Sequence, residues 1–347
     1  MAQCAHRSAR RGHRSLTLSS GVLGGSARYR SPSFCLASRA IGLMTSWRLC
    51  CVGCARHEGF SFDRSASGVM NMPIFARYVG IDYSGAQTPT ASLKGLRVYM
   101  SEGDAKPAEV LPPPSPRKYW SRRGVAEWLV ELSATNVPAL VGIDHGFSFP
   151  LRYFEAHGLE PDWSAFLDDF QRHWPTDEDI YVDFVRDGAH GDGAARTGRA
   201  HWRRLTEERA TGAKSVFHFD VQGSVAKATH AGIPWLRFIR QRVGDRVHFW
   251  PFDGWQIPAG RSVIAEVYPA LWNRSFARED RAPDQHDAYS VAAWLSRADR
   301  TGSLGALLLP DLSPAERATA QVEGWILGVY GFVRDDKRTN GTGTVNS

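Results

Sequence analysis

Three acidic residues each stand at or near the end of a short stretch that is rich in β-forming residues. They are Asp82 in residues 77–83, Asp144 in residues 137–144 and Glu266 in residues 262–267. In open α/β sheets, ligands bind beyond the carboxyl ends of the strands, which meet at one edge. We therefore expect these three carboxylates to lie close together in the folded chain.

Two further acids, Asp284 and Asp287, follow Pro283 at the start of a segment with the apolar spacing of a helix. Their i, i+3 spacing places them on one helix face. Grouped carboxylates repel one another, and burying them without a partner is costly. Mg²⁺ or Mn²⁺ would relieve the repulsion, and two such ions about 4 Å apart can act on a phosphodiester. The acids thus point to metal-dependent phosphodiester hydrolysis.

Each acid also has a purely structural interpretation. Asp82 and Asp144 precede Tyr-Ser-Gly and His-Gly, where Asp favours a turn. Asp284 could cap its helix while Asp287 complements the helix dipole, and Glu266 could pair with one of the many arginines. The hypothesis of a metal site therefore depends on the ordered set of acids and not on any single member.

Strand-like and helix-like stretches alternate along residues 72–334, which predicts an α/β domain. The unbroken apolar run 137–144 is typical of a strand buried on both faces. Ser121 precedes apolar residues at helical spacing and is a predicted N-cap. Residues 151–235 predict a helical insertion, within which the small residues of 221–234 indicate a loop.

Charge is divided unevenly along the 347 residues. Residues 1–71 carry 10 Arg and two acids, whereas the rest of the chain carries 32 basic and 34 acidic residues, a net charge of −2. The Arg- and Ser-rich composition of 1–71 predicts a disordered or spurious extension. A targeting peptide, or a zinc site that includes Cys51, Cys54 and His57, is the alternative. The polar tail 335–347 is expected to be disordered.

All five cysteines lie in residues 1–71, so the rest of the chain uses neither disulfides nor thiol chemistry. No apolar run reaches the roughly 18 residues that a membrane-spanning helix needs. These features predict a cytoplasmic protein with no membrane partner. They do not indicate an oligomeric state.

Four short motifs together resemble those of a known family. They are Val79–Gly85 (VGIDYSG), Val141–Pro150 (VGIDHGFSFP), Glu266–Ala270 (EVYPA) and Asp284–Ala288 (DQHDA). Their order and spacing are similar to those of the predicted RNase H-like nucleases catalogued as domain of unknown function 429, over about residues 80–298. The resemblance implies an RNase H-like fold, with a mixed five-stranded sheet flanked by helices and the first Asp on the central strand.

The arrangement also resembles that of the RuvC-type resolvases. On that pattern, Asp82, Asp144, Asp284 and Asp287 would be ligands of Mg²⁺ or Mn²⁺. Asp82, Asp144 and Asp287 are the predicted catalytic acids, together with Glu266, an additional acid that the resolvase pattern does not require. The implied substrate is nucleic acid, and the implied reaction is hydrolysis of its phosphodiester bonds.

Two segments of the predicted insertion suggest substrate contacts. A basic segment that includes Arg203 and Arg204 interleaves cations with an aromatic residue, which suits a phosphate backbone and stacked bases. The small-residue segment holds Lys227, Thr229 and His230, which could bind a phosphate. A solvated helix and an ordinary connecting loop are the structural alternatives.

Two other classes of function stay open at this stage. A phosphoryl-transfer enzyme of the sugar-kinase and actin type shares the core fold, but it requires a second domain with its own nucleotide motif. A nucleic-acid-binding module with a decayed site would bind without metal. The leading hypothesis is a metal-dependent nuclease, and the sequence does not choose between DNA and RNA.

Overall fold

The computed structural model of the protein describes residues 72–330. The predictions made for residues 1–71, including the zinc alternative, and for the tail from Asp335 lie outside these residues. Within 72–330, no helix combines the length and the apolar character that crossing a membrane requires.

A mixed six-stranded sheet forms the centre of the described domain. The strands are β1 (Arg77–Asp82), β2 (Arg97–Glu102), β3 (Ala108–Glu109), β4 (Ala139–Asp144), β5 (Val247–Trp250) and β6 (Ser262–Glu266). Their order is β3-β2-β1-β4-β6-β5; β2 is antiparallel to both neighbours, and β1, β4, β6 and β5 are parallel. The predicted α/β class and mixed sheet are confirmed. The predicted number of five strands is wrong, because a short apolar and aromatic stretch adds β5 at the edge.

Nine α-helices of the described residues flank this sheet. They are α1 (Arg122–Ala134), α2 (Leu151–His157), α3 (Trp163–His173), α4 (Val182–Arg186), α5 (Leu205–Arg209), α6 (Ala226–Val243), α7 (Pro283–Arg300), α8 (Leu304–Leu308) and α9 (Pro314–Glu323). Ser121 caps α1 as predicted, since its hydroxyl oxygen accepts a hydrogen bond from the Gly124 amide at 3.1 Å.

Side-chain alternation along the strands assigns the helices to two faces of the sheet. Ile81 and Ile143 pack in a core with apolar residues of α1 and α6. The opposite face, which carries Gly80, is covered by α7, and a Cβ atom at Gly80 would lie 2.1 Å from the Ala288 carbonyl oxygen. This close approach requires glycine. It brings the start of α7, with its two acids, beside the end of β1.

The predicted insertion 151–235 contains α2, α3, α4, α5 and the first half of α6. The loop predicted for 221–234 is wrong from Ala226 onward, because α6 begins there and continues through Pro234. Proline lacks the N–H that would bond the carbonyl of His230 one turn earlier. That oxygen instead accepts a hydrogen bond from the Thr176 hydroxyl at 2.5 Å, which compensates for the missing backbone bond.

Candidate active site

Asp82 and Asp144 are neighbours at the carboxyl ends of two adjacent parallel strands. β1 and β4 pair in register, and Asp82 is the partner of Asp144. Since side chains alternate along a strand, both point to the face that carries Gly80 and α7. Both are half-buried. The structure thus brings these two acids together, as the strand pattern predicts.

Asp284 and Asp287 lie in the first turns of α7, and both are half-buried. The packing of α7 on β1 and β2 holds them on the face to which Asp82 points. Asn273 donates a hydrogen bond from Nδ2 to Oδ1 of Asp287 at 2.8 Å, which orients that carboxylate. Asp284 is the second residue of α7, and the N-cap position is Ala282, so Asp284 is not the cap of this helix.

The four carboxylates form one electrostatic group. Burial and then the negative charges of Asp144, Asp284 and Asp287 raise the pKa of Asp82 well above its ordinary value. Arg97, the register partner of Asp82 on β2, opposes this shift. Its guanidinium also pairs with a glutamate at 2.9 Å, so its charge is shared.

Asp144 is perturbed in the same direction. Burial, followed by the charges of Asp287 and Glu266, raises its pKa to about 8. Within the part of the chain that the structure describes, neither the Asp82 nor the Asp144 carboxylate takes part in a side-chain hydrogen bond or ion pair. Arg97 offsets their repulsion only in part, because the pKa of Asp82 stays well above its ordinary value, and either a proton or a bound cation would relieve the remainder.

We expect this unrelieved charge to make the stability of the protein depend on pH. Between the ordinary pKa of 3.8 and the folded value of about 8, the folded Asp144 holds a proton that the unfolded chain releases. Stability contributed by this group is therefore present at low pH and is lost as pH rises towards 8. In Asp144→Asn the loss is absent. The melting temperature of the variant should exceed that of the parent by an amount that grows from about pH 5 to pH 8.

Circular dichroism melts across that range, in chelator, measure this difference. A difference that stays constant with pH would show that Asp144 ionises normally in the folded protein.

Glu266 does not belong to the same face of the sheet. Its partner in the β4–β6 pairing is Ile143, so its side chain points away from the face of Asp144. It is buried, and its two carboxylate oxygens accept hydrogen bonds from Arg204 at 2.6 and 2.7 Å. The Phe147 amide adds a third, at 3.2 Å. Glu266 is therefore held in a structural ion pair with Arg204, and it lines the same cavity as Asp144, whose pKa its charge raises. The catalytic role predicted for it stays a prediction.

A cavity of about 220 Å³ opens at this edge of the sheet. Its lining includes Asp82, Asp144, His145, Arg204, Lys214 and Tyr268. The lining among the described residues does not include Asp284 or Asp287, which act on the two strand acids through their charge. The cavity thus contains the acid pair with the perturbed pKa values and a lysine.

The cations predicted to contact substrate have protein partners instead. Arg204 is buried and carries the ion pair with Glu266. Arg203 donates hydrogen bonds to the carbonyl oxygens of Glu207 and Ala213. Lys227 is exposed and pairs with an aspartate at 2.6 Å, outside the lining of the cavity. Of these three residues only Arg204 lines the cavity with the acids, and there its guanidinium is held by Glu207 and Glu266.

Thr229 and His230 are also removed from solvent, because the segment that carries them is part of α6 and not a loop. Both side chains are fully buried. The Thr229 hydroxyl accepts a hydrogen bond from the Gly146 amide at 2.9 Å, and this bond ties α6 to the turn after β4. Burial lowers the pKa of His230 to about 3, so it is neutral among its aromatic neighbours. The predicted phosphate contacts of these two residues are therefore wrong.

Two histidines flank the acids and could have relayed protons. Burial lowers the pKa of His145 to about 4, and its Nδ1 contacts the Gly146 carbonyl oxygen at 2.8 Å. Nε2 of His286 contacts the Asn273 carbonyl oxygen at 3.1 Å. Both rings thus bond to neighbouring backbone carbonyl groups, which favours a structural role for them over proton transfer.

In residues 72–330, no group of three or more His, Cys, Asp or Glu side chains is arranged so that it could hold a metal ion. The predicted ligand set of Asp82, Asp144, Asp284 and Asp287 is therefore an electrostatic group and not a preformed cage. Its chemistry is nonetheless that of a hard cation site, since every donor is a carboxylate oxygen.

Comparisons with protein-family models, with curated proteins and with solved structures found no match to this chain. The resemblance to RNase H-like nucleases therefore stays a prediction from the motifs.

Sequence reasoning missed several residues that shape the site. Asn273 orients Asp287, but nothing in its local sequence signals that contact. Arg97 lies opposite Asp82 through an antiparallel register that the sequence does not specify. Tyr268, directly after the Glu266 strand, lines the cavity, and its place beyond a strand end was the one available signal.

Proposed function

We propose that the protein is a divalent-metal-dependent nuclease with an RNase H-like fold, which hydrolyses phosphodiester bonds in nucleic acid. The observation that carries this proposal is the pairing of Asp82 with Asp144 on adjacent strands, half-buried and, among the described residues, without an ion pair to either carboxylate. Holding two like charges in this way is costly. A bound cation that also contacts a phosphate would offset this cost, because it stabilises the ionised form of both carboxylates.

The residues present fit a magnesium-type ion in donor chemistry. Mg²⁺ is commonly held by one or two carboxylates together with water and substrate phosphates, and not by a complete protein cage. Asp82 and Asp144 would supply these carboxylates, with Asp287 contributing charge from α7. When bound, such an ion lowers the pKa of water and stabilises charge on phosphoryl oxygens.

Other groups in or near the cavity have roles that do not depend on the ion. Lys214 places a positive charge in the lining, where it would attract a phosphate. Asn273 keeps the Asp287 carboxylate in one orientation. Tyr83 and His145, which directly follow the two acids, are buried, and their ring centroids lie 4.5 Å apart.

The fold supports the same proposal. The first acid is on an interior strand of a mixed sheet, its partner is on the adjacent parallel strand, and two acids begin a helix that packs on the first strand. This is the arrangement that the resemblance to RNase H-like nucleases implies. The sixth strand lies at the far edge and leaves the acid pair unaffected.

The direct test is cleavage of a labelled oligonucleotide by the full chain. We expect strand scission with Mg²⁺ or Mn²⁺ and none in chelator, with more activity as pH rises towards about 8, because metal binding requires ionised carboxylates. Calorimetric titration with Mn²⁺ measures binding independently of the substrate. The proposal fails if the protein neither binds Mn²⁺ nor cuts single- or double-stranded DNA or RNA.

A further inference from the structure

The cavity has a wall that comes from the insertion. We use "cavity wall" for residues 210–225, which connect α5 to α6. Ala213, Lys214, Gly223, Ser224 and Val225 of this segment line the cavity together with Asp82 and Asp144. The two strand acids thus lie at the bottom of a cavity, one side of which is formed by a segment outside the sheet.

The cavity wall is fixed by internal bonds. Lys214 donates a hydrogen bond to the Gln222 carbonyl oxygen, and Ser224 donates one to the carbonyl oxygen of His218. Phe217 is buried, and its ring centroid lies 4.5 Å from that of Phe149 in the aromatic core. These contacts hold the wall against the core beside the cavity.

The insertion also covers both turns that follow the acids. A Cβ atom at Gly85, three residues after Asp82, would lie 2.3 Å from the Lys227 carbonyl group. A Cβ atom at Gly146, two residues after Asp144, would lie 2.7 Å from the Val216 side chain. Glycine at these two positions permits the insertion to close down over the strand ends. A phosphate that reaches the acids must therefore enter the cavity.

The size of the cavity limits what can enter it. At about 220 Å³ it is smaller than the roughly 300–1,000 Å³ of a site for a drug-sized ligand. A B-form duplex is wider than its own major groove, which is about 12 Å across. A cavity of about 220 Å³ is too small to hold a body of that width. The space suits one nucleotide unit of a strand whose bases are unpaired.

The charges of the insertion point in the same direction. Proteins that grip a duplex neutralise many phosphates with Lys and Arg. Here three cations of the insertion are paired with acids: Arg186 with Asp220 at 2.6 Å, Arg196 with Asp169 at 2.5 Å and Lys227 with Asp183 at 2.6 Å. Arg237, which follows the insertion in α6, pairs with Asp168 at 2.6 Å. Lys214 lines the cavity, where it contacts a carbonyl oxygen and forms no ion pair with any of the described residues. This pattern favours contact with a single phosphate.

We propose that the substrate is single-stranded nucleic acid, whose phosphodiester enters the recessed cavity one nucleotide at a time, and that the insertion excludes duplex. This inference rests on the proposed nuclease function and adds the substrate class to it. It follows from the wall, the covered turns and the paired cations, and not from the acids themselves.

The test compares three substrates of one sequence: a single strand, the fully paired duplex, and a duplex with a central single-stranded gap. With Mn²⁺, the full chain is expected to cut the duplex at least about tenfold more slowly than the single strand, because a nucleotide must first leave the stack. In the gapped substrate, mapped cuts should fall within the gap. The gapped substrate contains the same flanking base pairs as the fully paired duplex, so the comparison of these two controls for non-specific binding.

The outcomes separate the two proposals. If duplex is cut within about tenfold of the single-strand rate, or if cuts in the gapped substrate fall in its paired arms, the inference about substrate class is overturned while the nuclease function stands. If none of the three is cut, whether made of DNA or of RNA, and Mn²⁺ is not bound, the nuclease function fails and the inference falls with it.

Discussion

Replacement of Asp82 by Asn is expected to lower the rate of metal-dependent cleavage by at least about 100-fold. Substitution of residues that only support a metal ligand already lowers metal affinity or activity about 10–100-fold, and Asp82 is a proposed ligand itself. Asn has nearly the same shape as Asp and lacks the charge. It therefore removes a carboxylate donor while keeping the packing of β1 against α7. Calorimetry should show the loss of Mn²⁺ binding in parallel with the loss of cleavage.

The same change should not harm the fold. Burial and three neighbouring carboxylates raise the pKa of Asp82, so its ionised form is disfavoured in the folded protein. At about pH 8 the neutral amide relieves this repulsion, and the melting temperature should be equal to or higher than that of the parent. A stable but inactive variant is the combination that a metal site predicts.

Asp168→Asn is the matched control. Asp168 lies in the insertion, and its exposed side chain pairs with Arg237 of α6. It does not line the cavity. Its replacement should leave both cleavage and Mn²⁺ binding unchanged. If Asp82→Asn cuts as well as Asp168→Asn, the acid pair is not the reactive centre.

The positions of the strand acids were predictable because local signals agree there. Residues 77–83 and 137–144 are short, β-rich and followed by Gly-containing turns, so their strands and the acids at their ends could be identified. Parallel pairing then placed Asp82 beside Asp144. Only pairwise alternation and sheet topology were needed for this part of the site.

The orientation of Glu266 could not be predicted in the same way. It stands at the end of β6 just as Asp144 stands at the end of β4, but β6 is paired one residue out of step, with Glu266 opposite Ile143. A shift of one residue moves a side chain to the other face of a sheet. The register is set by long-range packing, so a single sequence does not reveal it.

The insertion exposed a second limit. The stretch 221–234 is rich in Gly, Ala, Ser and Thr and contains Pro234, which are signals of a loop. Tertiary contacts overrule them: Gly232 lies so close to His145 that a Cβ atom would be 2.5 Å from its Nε2, and Thr176 satisfies the carbonyl that Pro234 leaves unpaired. Small residues here allow close packing of α6, and they bury Thr229 and His230 with it.

Arg204→Met is expected to destabilise the protein by about 3–5 kcal/mol, because it would leave buried acids without their cation. The Arg204 guanidinium binds Glu207 at 2.8 Å and Glu266 at 2.6 Å, and all three side chains are buried. Burial alone would lower the pKa of Arg204, but the two glutamates raise it, so the arginine stays charged. Urea unfolding monitored by circular dichroism measures the change.

Arg186→Met provides the comparison, since the Arg186–Asp220 pair is exposed and such pairs contribute about 0–1 kcal/mol. The double variant Arg204→Met/Glu266→Leu should lose less stability than the two single changes added together, because it removes a charge and its partner at once. Equal losses for Arg204→Met and Arg186→Met would mean that the buried cluster is not a stabilising unit. The predicted contrast would assign Glu266 to the structure of the sheet edge and leave Asp82 and Asp144 as the carboxylates of the proposed cation site.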